Sequence, residues 1–454
     1  MKSTARASLC LVLLVTPLLG ILACWPRAPT DDLSEDAGTS DSGSSPTDAA
    51  VGIDSAVLDA ADGATADSGD ATVDSAIPVP PAASTVIAAG VGFGCRIDSS
   101  GNVDCWGNNT YGQAGGTPSS TPVVHPTAVA GVTGAVAIAL GDYHACAVTS
   151  AGTVYCWGLN IANQLGHTSA SMGDVICPGT ASGQTLTCNG TPTLVSVPAA
   201  TSIAAAGAWT CAVEADQTVQ CWGAVQAVTA TGSVTCGTGT LSTGGNCYAA
   251  PYAVTGVSGV SQLSVGFDHA CALGAAGVVT CWGYDFEGQV TPTACPASIC
   301  PPTPVTALGT VTSVAVGADF TCALLTGDAG GQVSCFGDNA YGELGHAPGT
   351  NGDPTPDSGS AVYNSTPTTV ADLGTASEVV TGGSQAACAI VSGGAVNCWG
   401  AITTTIPGVP VPVEGLPAMD SLGVPDSNYA CGLATDGSIW CWYLTDGGAP
   451  AQVQ

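Results

Sequence analysis

The stretch GDYHACAVTSAGTVYCWGLNIANQLG, Gly141–Gly166, decides how the rest of the chain is read. Cys146 opens a short apolar run, Ser150-Ala151-Gly152 interrupts it, and a second run ends on Cys156-Trp157-Gly158. Two apolar runs around a glycine-containing turn make a β-hairpin. With the turn centred on Ala151, Cys146 and Cys156 stand opposite each other. Opposed Cα atoms on antiparallel strands lie about 4.5–5.5 Å apart, within disulfide reach.

The unit recurs seven times in register, as Cys95/Cys105, Cys146/Cys156, Cys211/Cys221, Cys271/Cys281, Cys322/Cys335, Cys388/Cys398 and Cys431/Cys441. Six pairs are 10 residues apart, and the fifth is stretched to 13 by the turn Thr326–Gly331. Trp-Gly follows the second cysteine in repeats one, two, three, four and six. Repeat five has Phe336-Gly337 and repeat seven Trp442-Tyr443. The pairs read as hairpin disulfides, each contributing about 2–3 kcal/mol in the chain-entropy description. The alternative is free cysteines acting as small core residues. Zinc is disfavoured because no C-x2-C pair occurs.

Outward toward the N-terminus the chain changes character. Lys2 and Arg6 precede the apolar stretch Leu9–Leu22, which Pro17 breaks and which is too short for a membrane span of about 20 residues. It runs into Ile21-Leu22-Ala23-Cys24, resembling the lipobox of bacterial lipoproteins. The expectation is a signal peptide over residues 1–23 and lipid on Cys24; the alternative is an ordinary signal peptide with a chance cysteine. Residues 24–83 are rich in Asp, Ser, Thr, Ala and Gly, with twelve acids from Asp31 to Asp74 and no aromatic residue beyond Trp25. So little apolar bulk cannot offset the cost of ordering the backbone, and the segment reads as a disordered acidic tether. It holds no D-x-[DN]-x-[DN]-G calcium loop. Without Cys10 and Cys24, twenty of the 22 cysteines remain, an even number that suits an oxidising compartment.

Charge excludes one class of partner. The chain has 34 acidic and 4 basic residues, and beyond Arg6 only Arg27 and Arg96 are basic. Phosphate backbones are bound through Lys and Arg, so nucleic acid is a poor partner, and the membrane is reached through the lipid alone.

The segment from Gly141 to Gly166 resembles the repeat of the regulator of chromosome condensation family. So do CWGNNTYGQAG from Cys105, CWGYDFEGQV from Cys281 and CFGDNAYGELG from Cys335. Trp106 and Trp442 bracket six repeats of about 56 residues, a length that suits a four-stranded blade. The resemblance covers residues 84–454 and implies an all-β, seven-bladed β-propeller. Repeats three, six and seven lack the Asn-x-x-Gly-Gln tail. Most repeats follow a Pro-Val strand such as Thr121-Pro122-Val123 or Pro304-Val305, but the first does not. The C-terminal tail Ala449–Gln454 is expected to supply that strand and lock the last blade to the first.

Chemistry is sparse. His144 and His269 occupy a position held elsewhere by Phe93, Trp209, Phe320, Ala386 and Tyr429, which calls for a packed ring more than a ligand. His125, His167 and His346 lie in loop contexts without Cys, Asp or Glu at ligand spacing. No G-x-S-x-G elbow, phosphate loop or H-E-x-x-H is present. The expectation is therefore no catalytic residue, no metal and no cofactor. Six further cysteines, Cys177/Cys188, Cys236/Cys247 and Cys295/Cys300, fall in insertions after Trp-Gly in repeats two, three and four. A fourth insertion, His346–Pro367, has none. Stapled loops on adjacent repeats predict a pre-organised recognition sector; the alternative is protection from proteolysis.

The reading is a monomeric, non-catalytic propeller, lipid-anchored in a bacterial envelope and facing the periplasm or cell surface, that binds an unidentified protein or glycan. The runner-up is a secreted inhibitor of a hydrolase, which the resemblance implies through a β-lactamase inhibitor of this repeat class. A surface-coat component is the third reading. The family's nucleotide exchange on a nuclear GTPase conflicts with export and with the acidic balance.

Overall fold

In the computed structural model, residues 86–453 are described except 179–185, 226–233, 236–245, 292–294, 296–298, 327–330, 354–361, 383–384, 403–407, 424–428 and 445–448. The expected signal peptide, Cys24 and the acidic tether lie outside them, as does Cys236.

Seven antiparallel sheets follow in chain order, each built on a meander of four strands. Blade one is Val86–Gly90, Phe93–Ile97, Val103–Asn109 and Ser119–Ala128. The innermost strands of the next six are Ala135–Leu140, Ala200–Ala206, Val260–Val265, Val311–Val316, Ala376–Thr381 and Met419–Gly423. All seven innermost strands line one central channel of about 270 Å³.

Each cysteine pair is opposed between the second and third strands of its blade, as the hairpin register requires. In blade six, for example, Cys388 on Ala386–Val391 faces Cys398 on Ala395–Gly400, and the two are joined. The alternative of free core cysteines therefore fails for Cys95–Cys105, Cys146–Cys156, Cys211–Cys221, Cys271–Cys281, Cys322–Cys335, Cys388–Cys398 and Cys431–Cys441 alike. One expectation is corrected. The Cα separations are 4.0–4.1 Å, and 4.0 Å between Cys388 and Cys398, below the 4.5–5.5 Å range expected.

Trp-Gly has a backbone reason. Gly158 has φ +111°, and a Cβ there would lie 2.5 Å from the Tyr143 carbonyl oxygen. Only glycine lets the third strand leave the blade so close to the turn between the first two.

The aromatic residue before that glycine joins the blades. Trp157 of blade two packs in one buried cluster with Cys95 and Cys105 of blade one. Trp222 meets Cys146 and Cys156, and Trp282 meets Cys211 and Cys221. Phe336 repeats the contact on Cys271 and Cys281, and Trp399 on Cys322 and Cys335. Trp442 does so on Cys388 and Cys398, whose buried cluster also holds Ile390 and Met419. Trp106 of blade one closes the ring on Cys431 and Cys441 of blade seven. Each disulfide is thus the floor on which the next blade's ring rests.

This corrects the expected role of the tail. Ala451–Val453 pairs with Ile439–Cys441, completing blade seven from its own repeat rather than supplying a strand to blade one. The Pro-Val strands belong to the blade before them, since Ser119–Ala128 pairs with Val103–Asn109. Repeat one therefore needs no preceding strand. Val453 still packs against the closing cluster of Ile87, Ala89 and Trp106. Deleting Ala449–Gln454 is expected to cost about 1–2 kcal/mol, from a lost edge ladder and part of one valine. An unchanged melting temperature would show that the tail contributes nothing to closure.

Candidate binding face

In every blade the connections between strands one and two, and between strands three and four, emerge at the same end of the sheet. That end is the loop face, and the described residues of the insertions after Trp-Gly lie on it.

Its framework is the Asn-x-x-Gly-Gln tail. The side-chain oxygens of Asn109, Asn160 and Asn339 accept the amides of Ala114, Leu165 and Leu344. Those of Gln113, Gln164 and Gln289 accept amides two residues earlier. The turn so fixed offers a carbonyl to the next blade. The indole nitrogens of Trp157, Trp222 and Trp399 donate to the carbonyls of Gln113, Gln164 and Glu343 at 2.8–3.0 Å. At the seam between blades four and five Phe336 replaces the indole, and the Thr321 hydroxyl donates to the Gln289 carbonyl instead. Blades three and six lack the tail, and the indole nitrogens of Trp282 and Trp442 find no bond among the described residues.

The histidines divide by environment. His144 and His269 are wholly buried, and their Nε2 atoms meet the hydroxyls of Thr210 and Thr321 on the following blade. Burial depresses their pKa values to about 3 and about 4, so the rings are neutral at physiological pH. His167 and His346 hold a contact that short-range ligand spacing does not reveal. Their Nε2 atoms lie 2.9 and 3.1 Å from the carboxylates of Asp174 and Asp353, each seven residues on. Asn160 and Asn339 donate to the same carboxylates. The recurring G-H-x6-D pattern was the available signal. His125 sits on the outer strand of blade one.

The cysteines divide too. The hairpin pairs, from Cys95–Cys105 through Cys388–Cys398 to Cys431–Cys441, are buried in the seams between blades and offer nothing to a ligand. The stapled insertions, by contrast, converge on the loop face. In blade two, Val175–Ile176 pairs back on the outer strand and the Cys177–Cys188 disulfide closes the loop. Cys177, Cys188 and the disulfide-bonded Cys247 of blade three share a cluster with Leu159, Ile161 and Ala224. Tyr111 and Tyr143 border that cluster. Blade four adds Cys295–Cys300 and a stacked pair, Tyr284 and Phe286, with ring centroids 5.3 Å apart. Above this base stand exposed apolar side chains: Met172, Val175 and Ile176 on blade two, and Phe267 and Phe286 on blade four. Ile176 and Phe286 are 65% and 61% exposed.

The electrostatics are one-sided. The sole Lys or Arg among the described residues, Arg96, is paired at 3.0 Å with Asp104 on the neighbouring strand of its blade. The loop face carries Asp142, Asp268, Asp319, Asp338 and Glu343. Burial pushes the Asp268 carboxyl up to about 7. Glu343 stands where other blades have glutamine; burial, and then the Asp338 charge, raise its pKa well above the usual range. Among the described residues, one group of His, Cys, Asp or Glu has ligand atoms within 4.8 Å of one another: Asp285, Cys295 and Cys300. Its two sulfurs are joined to each other and so are not free thiolate ligands. A cavity of about 570 Å³ lies at the opposite end of blades six and seven, lined by residues such as Ser377, Glu378 and Ser421.

Residues 85–113, 135–164, 260–289 and 311–343, and in a second match 100–148, fit the sequence pattern of the regulator of chromosome condensation (RCC1) repeat. These are regulator of chromosome condensation repeats. The matched segments fall in blades one, two, four and five, those that keep the Gln or Glu tail. No curated protein matches the chain by sequence. Among solved structures, yeast RCC1 (Prp20) bound to Kap60 superimposes with a TM-score of 0.60 at 17% identity, covering 78% of this chain and 83% of that one. Prp20p from Saccharomyces cerevisiae, solved with a study of its binding to Gsp1p and histones, gives 0.59 at 18%, covering 78% and 86%. Human WBSCR16 gives 0.57 at 17%, covering 78% and 94%. At these identities the RCC1 likeness is one of fold.

Proposed function

We propose that this chain is a non-catalytic recognition propeller, held outside the cytoplasm of a bacterium by lipid on Cys24, whose loop face docks a protein partner with a basic surface. The observation that carries the reading is the composition of that face. Disulfide-stapled loops on neighbouring blades present exposed aromatic and aliphatic side chains among carboxylates, on a body with a single, already paired Arg96. Rigid apolar anchors reduce the entropy lost on docking, and the net negative charge of the chain steers a positively charged partner. The yeast propeller whose structure was solved with Kap60 supports the reading that a fold of this kind accommodates protein recognition.

The test is cross-linking on intact cells with the full chain, followed by mapping of the linked residues. Cross-links to a basic protein should fall on Met172–Ile176 and Tyr284–Glu287. The double variant Ile176→Ser/Phe286→Ser should weaken that partner's binding by roughly tenfold or more. Cross-links confined to the opposite face, or a preference for glycans over proteins, would overturn the reading. Fatty-acid labelling that persists in Cys24→Ala would remove the anchor.

A further inference from the structure

Asp285 departs from its sister blades in a way that packing does not explain. Asn109, Asn160 and Asn339 hold the equivalent place, each accepting a loop amide with the oxygen and donating to carbonyls with the amide nitrogen. Asp285 keeps the accepting half: its Oδ1 takes the Val290 and Thr291 amides at 2.9 and 3.3 Å. Its Oδ2 lies 3.3 Å from Sγ of Cys300. A disulfide sulfur has no proton to give, so that contact becomes a hydrogen bond only once Cys300 is a thiol.

The disulfide is also distinct in its access. Cys300 is fully buried, but Cys295 is half-buried, and it alone among the described cysteines is not buried. Cys295 thus carries residue exposure, whereas both cysteines of every hairpin disulfide are buried. Exchange depends on access to the attacked sulfur and on stabilisation of the one that leaves.

We propose that Cys295–Cys300 is a reactive disulfide that oxidises a partner dithiol, with Asp285 handling the proton of Cys300. A partner thiolate attacks Sγ of Cys295; the new S–S bond forms as the Cys295–Cys300 bond breaks. The electron pair departs on Sγ of Cys300, which takes a proton from the carboxyl of Asp285. Asp285 recovers a proton from solvent, matching the one lost by the attacking thiol. The partner's second thiol then attacks its own sulfur in the mixed disulfide, releasing Cys295, which is protonated in turn. One dithiol becomes a disulfide, and Cys295–Cys300 takes up two electrons and two protons. Burial raises the pKa of Asp285 above the usual carboxylate value, the direction that favours proton donation to Cys300. The titratable group facing it from the second strand is the neutral ring of His269.

The experiment uses dithiothreitol as the probe dithiol on the folded, full chain. Aliquots reduced at graded concentrations are alkylated and mapped by mass spectrometry, with tryptophan fluorescence recorded in parallel. Cys295 and Cys300 should be alkylated together at a dithiothreitol concentration about tenfold below that of any other pair, before the fluorescence changes. Reduction that coincides with unfolding, or that reaches a hairpin pair first, overturns the proposal. Asp285→Asn introduces the residue three sister blades carry and so preserves the turn. It should slow the exchange by on the order of 100-fold and remove the carboxyl's limb from the pH–rate profile. An unchanged rate and profile would exclude Asp285 from the step.

Discussion

Trp157→Ala is expected to destabilise the propeller by about 3–5 kcal/mol, whereas Trp157→Phe should cost only about 1–2 kcal/mol. The side chain is fully buried in a cluster with Phe93, Ile97, Val103 and the Cys95–Cys105 disulfide of the preceding blade. Alanine empties that space and leaves the Gln113 carbonyl without its 2.9 Å indole donor. Blade five already runs the phenylalanine experiment. Phe336 fills the same place, and Thr321 supplies the missing hydrogen bond to the Gln289 carbonyl. Ala145 is the blade-two counterpart of Thr321 and has no hydroxyl, so Trp157→Phe alone leaves a buried acceptor unpaired. Adding Ala145→Thr to Trp157→Phe should recover about 1 kcal/mol. Urea melts of the four proteins measure this directly. If Phe proves as costly as Ala, the seam depends on the indole itself and not on volume plus one donor.

The hairpins were legible because two independent signals agreed. A ten-residue gap and a central turn allow one register that opposes both cysteines, and the same register recurs from Cys95/Cys105 through Cys388/Cys398 to Cys431/Cys441. The outer strands gave no such constraint. They are half-exposed, often proline-bearing, and meet the third strand through register shifts at Cys105/Gly107 and its equivalents. Nothing local tells whether Thr121-Pro122-Val123 belongs to the hairpin before it or after it. Its assignment to the wrong neighbour misplaced the role of the tail. Ring closure was encoded elsewhere, in the packing of Trp106 on Cys431–Cys441. Only a fold that brings the first and last repeats together makes that contact visible.

The candidate site was legible in outline, since insertion length and cysteine pairs marked blades two to four. Its finer parts depended on tertiary pairing. Asp285 and Cys300 meet because Gly283 pairs with Cys300 across the third and outer strands, fifteen positions from Asp285 along the chain. His167 and Asp174 meet through a loop that Asn160 closes from the strand side. Residue type alone did reveal the one-sided charge. It did not reveal which acids are buried, and burial decides how they respond to pH.

Glu343→Gln should stabilise the protein by about 1–3 kcal/mol above pH 7, and by progressively less toward pH 4. Gln113, Gln164 and Gln289 occupy the equivalent place, so the amide fits the turn. Oε2 of Glu343 accepts the Tyr341 amide at 2.8 Å, while Oε1 is buried with no partner among the described residues. Ionising this carboxyl therefore means burying a charge beside Asp338, and its folded pKa stands above the ordinary value near 4.5. An acid with a raised folded pKa binds more protons in the native state than in the unfolded one. Between those two values stability falls as pH rises, and below the unfolded value the penalty vanishes. Asp268 and Glu378, both held up to about 7 by burial, act in the same direction. His144 and His269 oppose them: their lowered pKa values remove stability as pH falls below about 6.5. The wild-type profile therefore sums opposing slopes, and the informative quantity is the difference between wild type and Glu343→Gln at each pH. Urea midpoints at pH 4, 6 and 8 should separate progressively with pH. A gap that is constant across the three, or a variant less stable than wild type at pH 8, would mean that Glu343 is not carrying a buried charge.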